Sequence, residues 1–198
     1  MVQLTSVPES WAWMRGDLLV RLGPFALVVL AAWLLWRPRW LGFAAGNLGA
    51  QLLFGGVGAV VLFFAAAAVQ MPLSRRRGAL RVPADRADAG AQAGYYVLNG
   101  PLEEAFFRGL VQGGLGAVLS PPVGFVVATA AYVLYHRLGG WRWLDVLATL
   151  GAGVPLGLGF WLLPGPPSLL GVAIAHIGGT CGFLGPGPYL LRRLGLLA

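Results

Sequence analysis

The sequence predicts an all-α fold, a polytopic bundle of about six transmembrane helices in a single integral membrane domain covering residues 1–198. Composition is the first observation: 58% of the residues are hydrophobic, only 11% are charged, and the mean hydropathy is +0.74. A soluble domain is about 25% charged. The second observation is a series of long apolar runs, because a spanning helix needs about 20 apolar residues. Together they exclude an ordinary soluble domain.

Clusters of proline, glycine and arginine divide the apolar runs into six predicted spans. These spans cover residues 17–36, 44–69, 94–119, 123–135, 144–163 and 168–184. The segment 74–91, between the second and third spans, is polar and rich in arginine. It is too short for a domain, so we expect a surface loop there, with room for an amphipathic helix.

Arginine is distributed unequally between the two predicted faces of the membrane. One face would carry Arg15, Arg21, Arg75, Arg76, Arg77, Arg81, Arg86, Arg137, Arg142, Arg192 and Arg193. The other would carry only Arg37 and Arg39. Because positively charged loops stay inside, both termini and the basic loop 74–91 are predicted to be cytoplasmic.

All fourteen basic residues are arginine, which is typical of a GC-rich and therefore bacterial genome. We accordingly expect a multi-pass protein of the inner (plasma) membrane. The net charge of +7 points to anionic lipid headgroups rather than nucleic acid, because no basic patch is interleaved with surface aromatics. The single cysteine, Cys181, excludes an internal disulfide and a cysteine metal cluster.

Small residues recur within the predicted spans. They include Gly109 and Gly113, four positions apart, and Gly178, Gly179 and Gly182. Such residues allow close approach of helices in lipid, where packing drives association. We assign them to packing rather than to chemistry.

Five ionisable residues remain inside the apolar segments: Glu103, Glu104, Arg108, His136 and His176. A charge at the bilayer centre costs at least ~2.5 to 3.5 kcal/mol, so such residues usually face the interior of a bundle and mark a functional site. Their concentration in the third, fourth and sixth spans predicts one shared site.

The spacing within the sequence GPLEEAFFRGL, residues 100–110, predicts different roles for the two glutamates. Glu104 and Arg108 are four apart, so on a helix they share a face and can pair. Glu103 is rotated by about 100° and has no obvious partner besides the histidines. Asn-Gly-Pro at 99–101 predicts a helix start, which would place both glutamates in the first turn. The Glu104–Arg108 pair could simply fix helix register, whereas Glu103 is the candidate general base.

Three motifs resemble those of the CPBP family of intramembrane proteases, which includes the CAAX prenyl endopeptidases and the bacterial Abi-type proteins. The family pattern is Glu-Glu-x-x-x-Arg, then Phe-x-x-x-His, then His-x-x-x-Asn or Asp. Here the motifs are EEAFFR at 103–108, YVLYH at 132–136 with Tyr for Phe, and HIGGT at 176–180 with Thr for Asn or Asp. The resemblance covers residues 94–184, which would form the protease-like core, with the first two spans as elaboration.

The resemblance implies a role for each matching residue. Glu103 would activate the water that attacks a peptide carbonyl in a membrane-associated protein or peptide. His136 and His176 would orient this water or stabilise the oxyanion, and Arg108 would position the glutamates. Two histidines and a glutamate can hold zinc. Because the three residues lie on three separate helices without a compact ligand motif, a glutamate mechanism without metal is favoured.

Thr180 departs from the family pattern, because a hydroxyl is shorter than an amide and offers a different donor. Three alternatives follow. Thr180 substitutes adequately, another group such as Tyr132 or Tyr135 compensates, or the chain is a slow or inactive member. The last alternative corresponds to a non-catalytic membrane scaffold or immunity-type binding protein of the same fold. A transporter is a third class, although no repeated half with broken helices supports it.

Overall fold

The computed structural model describes residues 2–77 and 80–197, with the side chains of 74–77 excepted. It confirms the predicted all-α bundle and adds one small sheet. The sheet consists of two parallel strands, β1 (Val2–Thr5) and β2 (Leu80–Pro83), with Val2 opposite Leu80.

The first span is one continuous helical run from Val7 to Trp36, whose most apolar 18-residue window has a mean hydropathy of 2.2. It comprises α1 (Val7–Asp17), a π-helical turn (Leu18–Leu22) and α2 (Gly23–Trp36). Only 17% of its most apolar window is buried within the protein, so most of its surface faces lipid. The run ends at Arg37, whose backbone is left-handed, before Pro38 and a short 3-10 helix, Arg39–Leu41.

The long helix α3 (Leu48–Arg77) forms the second span and extends into the predicted basic loop. Residues 74–91 hold the end of α3, the strand β2 and the start of α4 (Arg86–Glu104), so the expectation of a loop is wrong for this segment. Gly78 and Ala79 lie outside the described residues. Strand β2 forms because β1 pairs with it. The two strands are far apart in the sequence, so no local pattern predicts this pairing.

The predicted helix start at 99–101 is also wrong. Helix α4 begins at Arg86, where the Asp85 side chain accepts the backbone N–H of Asp88 at 2.9 Å. It continues without a break through a π-helical segment (Ala105–Gly113) into α5 (Gly114–Val118). Glu103 and Glu104 therefore lie deep inside a helix, and the first-turn dipole does not act on them.

The remaining helices are shorter. They are α6 (Pro121–Tyr135), α7 (Trp143–Ala148), α8 (Leu150–Leu162), α9 (Leu170–Phe183) and α10 (Pro186–Arg193). Among the described residues, three helices are long and apolar enough to cross a membrane, or four if the bent pair α9–α10 counts as one span. The predicted six spans are not confirmed, since the helix with the three charges and the 15-residue α6 are not among these.

Three distant parts of the chain meet at one end of the bundle. The N-terminal strand β1 pairs with β2, and Arg192 of α10 donates to the Ala84 carbonyl at 3.2 Å. The N-terminus, the 80–84 segment and the C-terminal helix therefore share one side of the protein.

Glycines set the distance between helices, as their positions predicted. At Gly178 and Gly182 of α9, an added Cβ would collide with the α3 carbonyls of Ala59 and Phe63. Gly113 instead packs on the carbonyl of Trp40, so this glycine accommodates the 3-10 turn rather than a neighbouring helix.

We expect Gly182→Ala to destabilise the fold by about 1 to 3 kcal/mol, because its methyl group would force α9 away from α3. Thermal unfolding in detergent measures this effect. Gly56→Ala in α3 is the matched control, because nothing lies within 4 Å of its Cβ position. Equal stability of the two variants would contradict the close packing.

Candidate active site

Residues of α1, α4, α6 and α9 line a cavity of about 1420 Å³. Helix α9 carries the third motif, HIGGT at 176–180. Four of the predicted site residues line it: Glu103, His136, His176 and Thr180. Glu104 and Arg108 do not line it, and both are completely buried. The two glutamates thus have different surroundings, one facing the cavity and the other inside the protein.

The predicted pair of Glu104 and Arg108 is present. Arg108 Nε donates to Glu104 Oε2 at 3.3 Å. The guanidinium also donates to Thr129 Oγ1 at 3.1 Å and to the Gly153 carbonyl at 3.0 Å. Because Thr129 belongs to α6 and Gly153 to α8, the buried arginine connects three helical elements.

The second oxygen of Glu104 contacts a histidine. His176 Nδ1 lies 2.6 Å from Glu104 Oε1. The carboxylate, already paired with Arg108, can only accept, so the Nδ1 proton of His176 points to Glu104 and orients the imidazole ring. The other ring nitrogen, Nε2, then lies 3.4 Å from the Tyr132 hydroxyl and 3.6 Å from Glu103 Oε2.

Glu103 has partners that the sequence did not predict. Its Oε1 accepts hydrogen bonds from Arg21 Nη1 and from Asn99 Nδ2, the latter at 3.0 Å. The expectation that only the histidines approach Glu103 is therefore wrong. The Tyr135 hydroxyl also donates to this carboxylate, and Oε2 lies 3.6 Å from His176 Nε2.

Arg21, which its charge assigned to the cytoplasmic face, is also part of the site. Its Nε donates to Asp17 Oδ1 at 2.7 Å, and its Nη1 donates to the Tyr135 hydroxyl at 2.9 Å. The hydroxyl of Tyr95 donates to the other Asp17 oxygen. The first span is thus part of the site, contrary to the expectation that it is mere elaboration.

His136 lies at the end of α6 and is half-buried. Its Nδ1 is 2.8 Å from the backbone carbonyl of Tyr132. Since a carbonyl only accepts, Nδ1 carries a proton, and the neutral ring has its lone pair on Nε2. The ring packs against Trp141 and Tyr135, at centroid distances of 4.9 and 4.3 Å.

Thr180 lies one turn after His176 on α9 and also lines the cavity. The motif residues therefore converge from three helical elements on one space, in the chain order that the sequence shows.

One family model matches the chain: residues 89–181 match Rce1-like, described as type II CAAX prenyl endopeptidase Rce1-like. Over residues 89–181, the chain is therefore similar to the Rce1-like family. The match confirms the predicted resemblance to the CAAX proteases. No match was found among curated proteins or among solved structures. The match to a protease family and the several apolar helices support a membrane protein of the peptidase class.

Two residues that contact Glu103 were missed by sequence reasoning, Arg21 and Asn99. Asn99 is four residues before Glu103, so helical spacing could have found it. Arg21 lies four residues inside the first predicted span, and a strict inventory of buried charges would have included it. Its partner across the bundle was not predictable, because the two residues are 82 positions apart.

The donor atoms of the candidate site do not fit zinc. Among the described residues, no group of three or more His, Cys, Asp or Glu side chains is arranged to hold a metal ion. A catalytic zinc site needs three protein ligands and a water. Here Glu104 Oε1 and His176 Nδ1 hydrogen-bond each other and are not free to bind a metal ion. The Arg21 guanidinium, which contacts Glu103, would also repel a divalent cation.

Removal of the buried guanidinium would leave Glu104 as an unpaired charge. We expect Arg108→Met to lower the free energy of unfolding by about 3 to 5 kcal/mol. Chemical or thermal unfolding in detergent measures this change. The exposed Arg86→Met is the control, and Arg108→Met combined with Glu104→Gln should recover part of the loss. A single variant as stable as Arg86→Met would contradict the structural role.

Proposed function

We propose that the chain is an intramembrane endopeptidase that hydrolyses a peptide bond of a membrane-associated protein or peptide, with Glu103 as general base. One observation carries the proposal. Glu103 lines the cavity, and its Oε2 lies 3.6 Å from His176 Nε2, with Oε1 held by Arg21 and Asn99. Glu104 does not line the cavity, and its two oxygens are used by Arg108 and His176.

The balance of charges in the site also favours Glu103 as the general base. Two guanidinium groups, those of Arg21 and Arg108, face three carboxylates. With neutral histidines, one carboxylate remains uncompensated. Because Asp17 binds Arg21 through two further contacts and Glu104 pairs with Arg108, the excess negative charge is centred on Glu103. A carboxylate that retains its charge in a cavity of low polarity can accept a proton from water.

The histidines are placed to orient that water. Glu103 Oε2 and His176 Nε2 are 3.6 Å apart, a separation at which one water can contact both atoms. Water would donate one proton to Glu103 Oε2, and in the neutral histidine Nε2 would accept the other. His136 faces the same cavity with an acceptor nitrogen, so water orientation is the role that its tautomer favours.

The proposed reaction needs no reactant besides water and the peptide. The water oxygen attacks the peptide carbonyl carbon while Glu103 Oε2 takes a proton. The tetrahedral intermediate then breaks its C–N bond, and Glu103 returns the proton to the leaving amine. Arg108 acts at a distance, by holding Glu104 and through it the ring of His176.

The shared side of the N-terminus, the 80–84 segment and the C-terminal helix supports a topology proposal. We place this side in the cytoplasm and the protein in the plasma membrane, because the arginine bias is strongest there. Reporter fusions to the two termini and to the 42–47 turn would test it. Cytoplasmic signal from all three would contradict this topology.

We expect Glu103→Gln to lower peptide cleavage by ~100- to 10,000-fold, because the amide cannot take a proton from water. The assay uses the protein in proteoliposomes with a quenched peptide ending in a prenylated CAAX sequence, and in parallel a bacterial membrane fraction. Mass spectrometry identifies the new peptide termini.

The matched control is Glu9→Gln, which removes a carboxylate from the exposed start of α1. It should cleave like the wild type. If wild type and Glu103→Gln produce the same termini in both substrate sets, the proposed function is wrong.

Chelation is a separate test of the mechanism. Because the donor set does not fit a metal, we expect cleavage to persist at the wild-type rate after dialysis against EDTA or 1,10-phenanthroline. Loss of cleavage with recovery on addition of zinc would overturn the metal-free mechanism while leaving the peptidase assignment intact.

A further inference from the structure

We propose that Asp17 is a positioning residue of the site, which sets how strongly Glu103 can accept a proton by sharing the guanidinium of Arg21. The proposal rests on the proposed function, because it concerns the strength of the same general base. It also assigns part of the catalytic machinery to the first span, outside the residues 89–181 that match the family model. A chain of contacts from Asp17 to Glu103 supports it.

Glu103 accepts hydrogen bonds from three side chains. Asn99 Nδ2 donates at 3.0 Å, and the Tyr135 hydroxyl donates to the same carboxylate. These two donors are neutral and orient the carboxylate. The third donor, Arg21 Nη1, is charged and contacts Glu103 Oε1. Because a full charge acts more strongly than a neutral dipole in an apolar interior, Arg21 has the largest influence on the negative charge of Glu103.

Asp17 competes with Glu103 for this guanidinium. Asp17 Oδ1 accepts from Arg21 Nε at 2.7 Å, and Asp17 Oδ2 accepts from Arg21 Nη2. Glu103 binds only through Nη1, the nitrogen that Asp17 does not use. Two-point contacts of a guanidinium with a carboxylate are stronger than single ones. The positive charge of Arg21 is therefore shared between two carboxylates, and Asp17 takes the larger part.

Contacts across the bundle hold Asp17 in this position. The hydroxyl of Tyr95, on α4, donates to Asp17 Oδ2 and lies 3.4 Å from Arg21 Nη2. An ion pair between residues four apart on an exposed helix face needs no such partner and mainly stabilises its own helix. All three side chains line the cavity. The pair therefore belongs to the wall of the site.

The backbone is also irregular at this point of the first span. A π-helical turn, Leu18–Leu22, begins directly after Asp17 and includes Arg21. Such turns are rare and occur frequently at functional sites. A second π-helical segment, Ala105–Gly113, carries Arg108. The two arginines that bind the glutamates of the first motif thus both lie in π-helical segments.

The charge of Asp17 has a definite effect on the base. With Asp17 ionised, one guanidinium compensates two carboxylates, and Glu103 keeps enough negative charge to take a proton from water. Without this charge, Arg21 compensates Glu103 alone and makes it a weaker base, because a neighbouring cation favours the ionised carboxylate. Removal of the Arg21 charge has the opposite effect. The two substitutions should therefore move the pH dependence of cleavage in opposite directions.

Other ionisable groups of the site are retained in both variants. Those whose charge or hydrogen bonds act on Glu103 or its neighbours are His136, Tyr132 and Tyr135 on α6, His176 on α9, Tyr95 and Glu104 on α4, and Arg108. Further ionisable groups that line the same cavity are Arg81, Tyr96, Arg142 and Asp145. The pH profile of the wild type depends on all of these groups, so the difference between variants isolates the charge that was changed.

The test measures cleavage by Asp17→Asn in proteoliposomes, on the substrate that the wild type cleaves. Asp85→Asn is the matched control, because Asp85 is exposed and outside the cavity lining, and asparagine caps a helix as well as aspartate. We expect Asp17→Asn to lower kcat roughly 3- to 30-fold with little change in KM. The acid limb of kcat/KM should move to lower pH by about one unit.

Two further variants separate the charge of Asp17 from its packing. Asp17→Glu retains the charge and should keep a higher kcat than Asp17→Asn. Arg21→Gln should move the acid limb to higher pH, and it tests the proposal independently if Asp17→Asn does not fold.

The proposal is overturned if Asp17→Asn has the rate and pH profile of Asp85→Asn, or if Asp17→Asn and Asp17→Glu lose kcat equally. It is also overturned if Arg21→Gln leaves the acid limb in place or moves it to lower pH. Glu103→Gln distinguishes this failure from that of the proposed function. If Glu103→Gln cleaves like the wild type, the proposed function itself fails.

Discussion

The fully buried guanidinium of Arg108 is the constraint on which the core of this protein depends. A charge with no exposed surface must have partners, and Arg108 finds them on the carboxylate of Glu104, on α6 and on α8. Glu104 then binds His176 on α9. One ion pair therefore fixes four helical elements relative to one another, and its breakage would leave an unpaired charge in an apolar interior. The π-helical segment that carries Arg108 is a local irregularity of the kind often found at functional sites.

How far the sequence predicts this arrangement depends on the distance over which each contact acts. Hydropathy and the order of three short motifs predicted the helical bundle, the Glu104–Arg108 pair and the convergence of Glu103 with two histidines, because each signal lies within one segment. The β1–β2 pairing and the contact of Arg21 with Glu103 join residues about eighty positions apart, and no local pattern records them. The helix start was misplaced for a related reason: Pro101 is a breaker by rule, but here the packing of a long helix tolerates it.

The position of Arg21 changes the electrostatic description of the site. If Glu103 and the histidines acted alone, the carboxylate would be an isolated charge in a bundle and costly to maintain. If Arg21 bound Glu103 alone, the negative charge of this carboxylate would be fully compensated and Glu103 would be a poor base. Asp17 resolves the conflict, because it shares the guanidinium and leaves Glu103 partly uncompensated. The first span thus adjusts the charge of a site whose motifs all lie in later helices.

The same reasoning explains why a threonine at position 180 need not disable the site. Donors and acceptors around the cavity have to be divided between a base, a water-orienting group and an oxyanion donor. The two histidines donate their Nδ1 protons to fixed acceptors, which makes them suited to hold water and unsuited to stabilise an oxyanion. The Thr180 hydroxyl lines the same cavity and, like an amide, can donate a hydrogen bond.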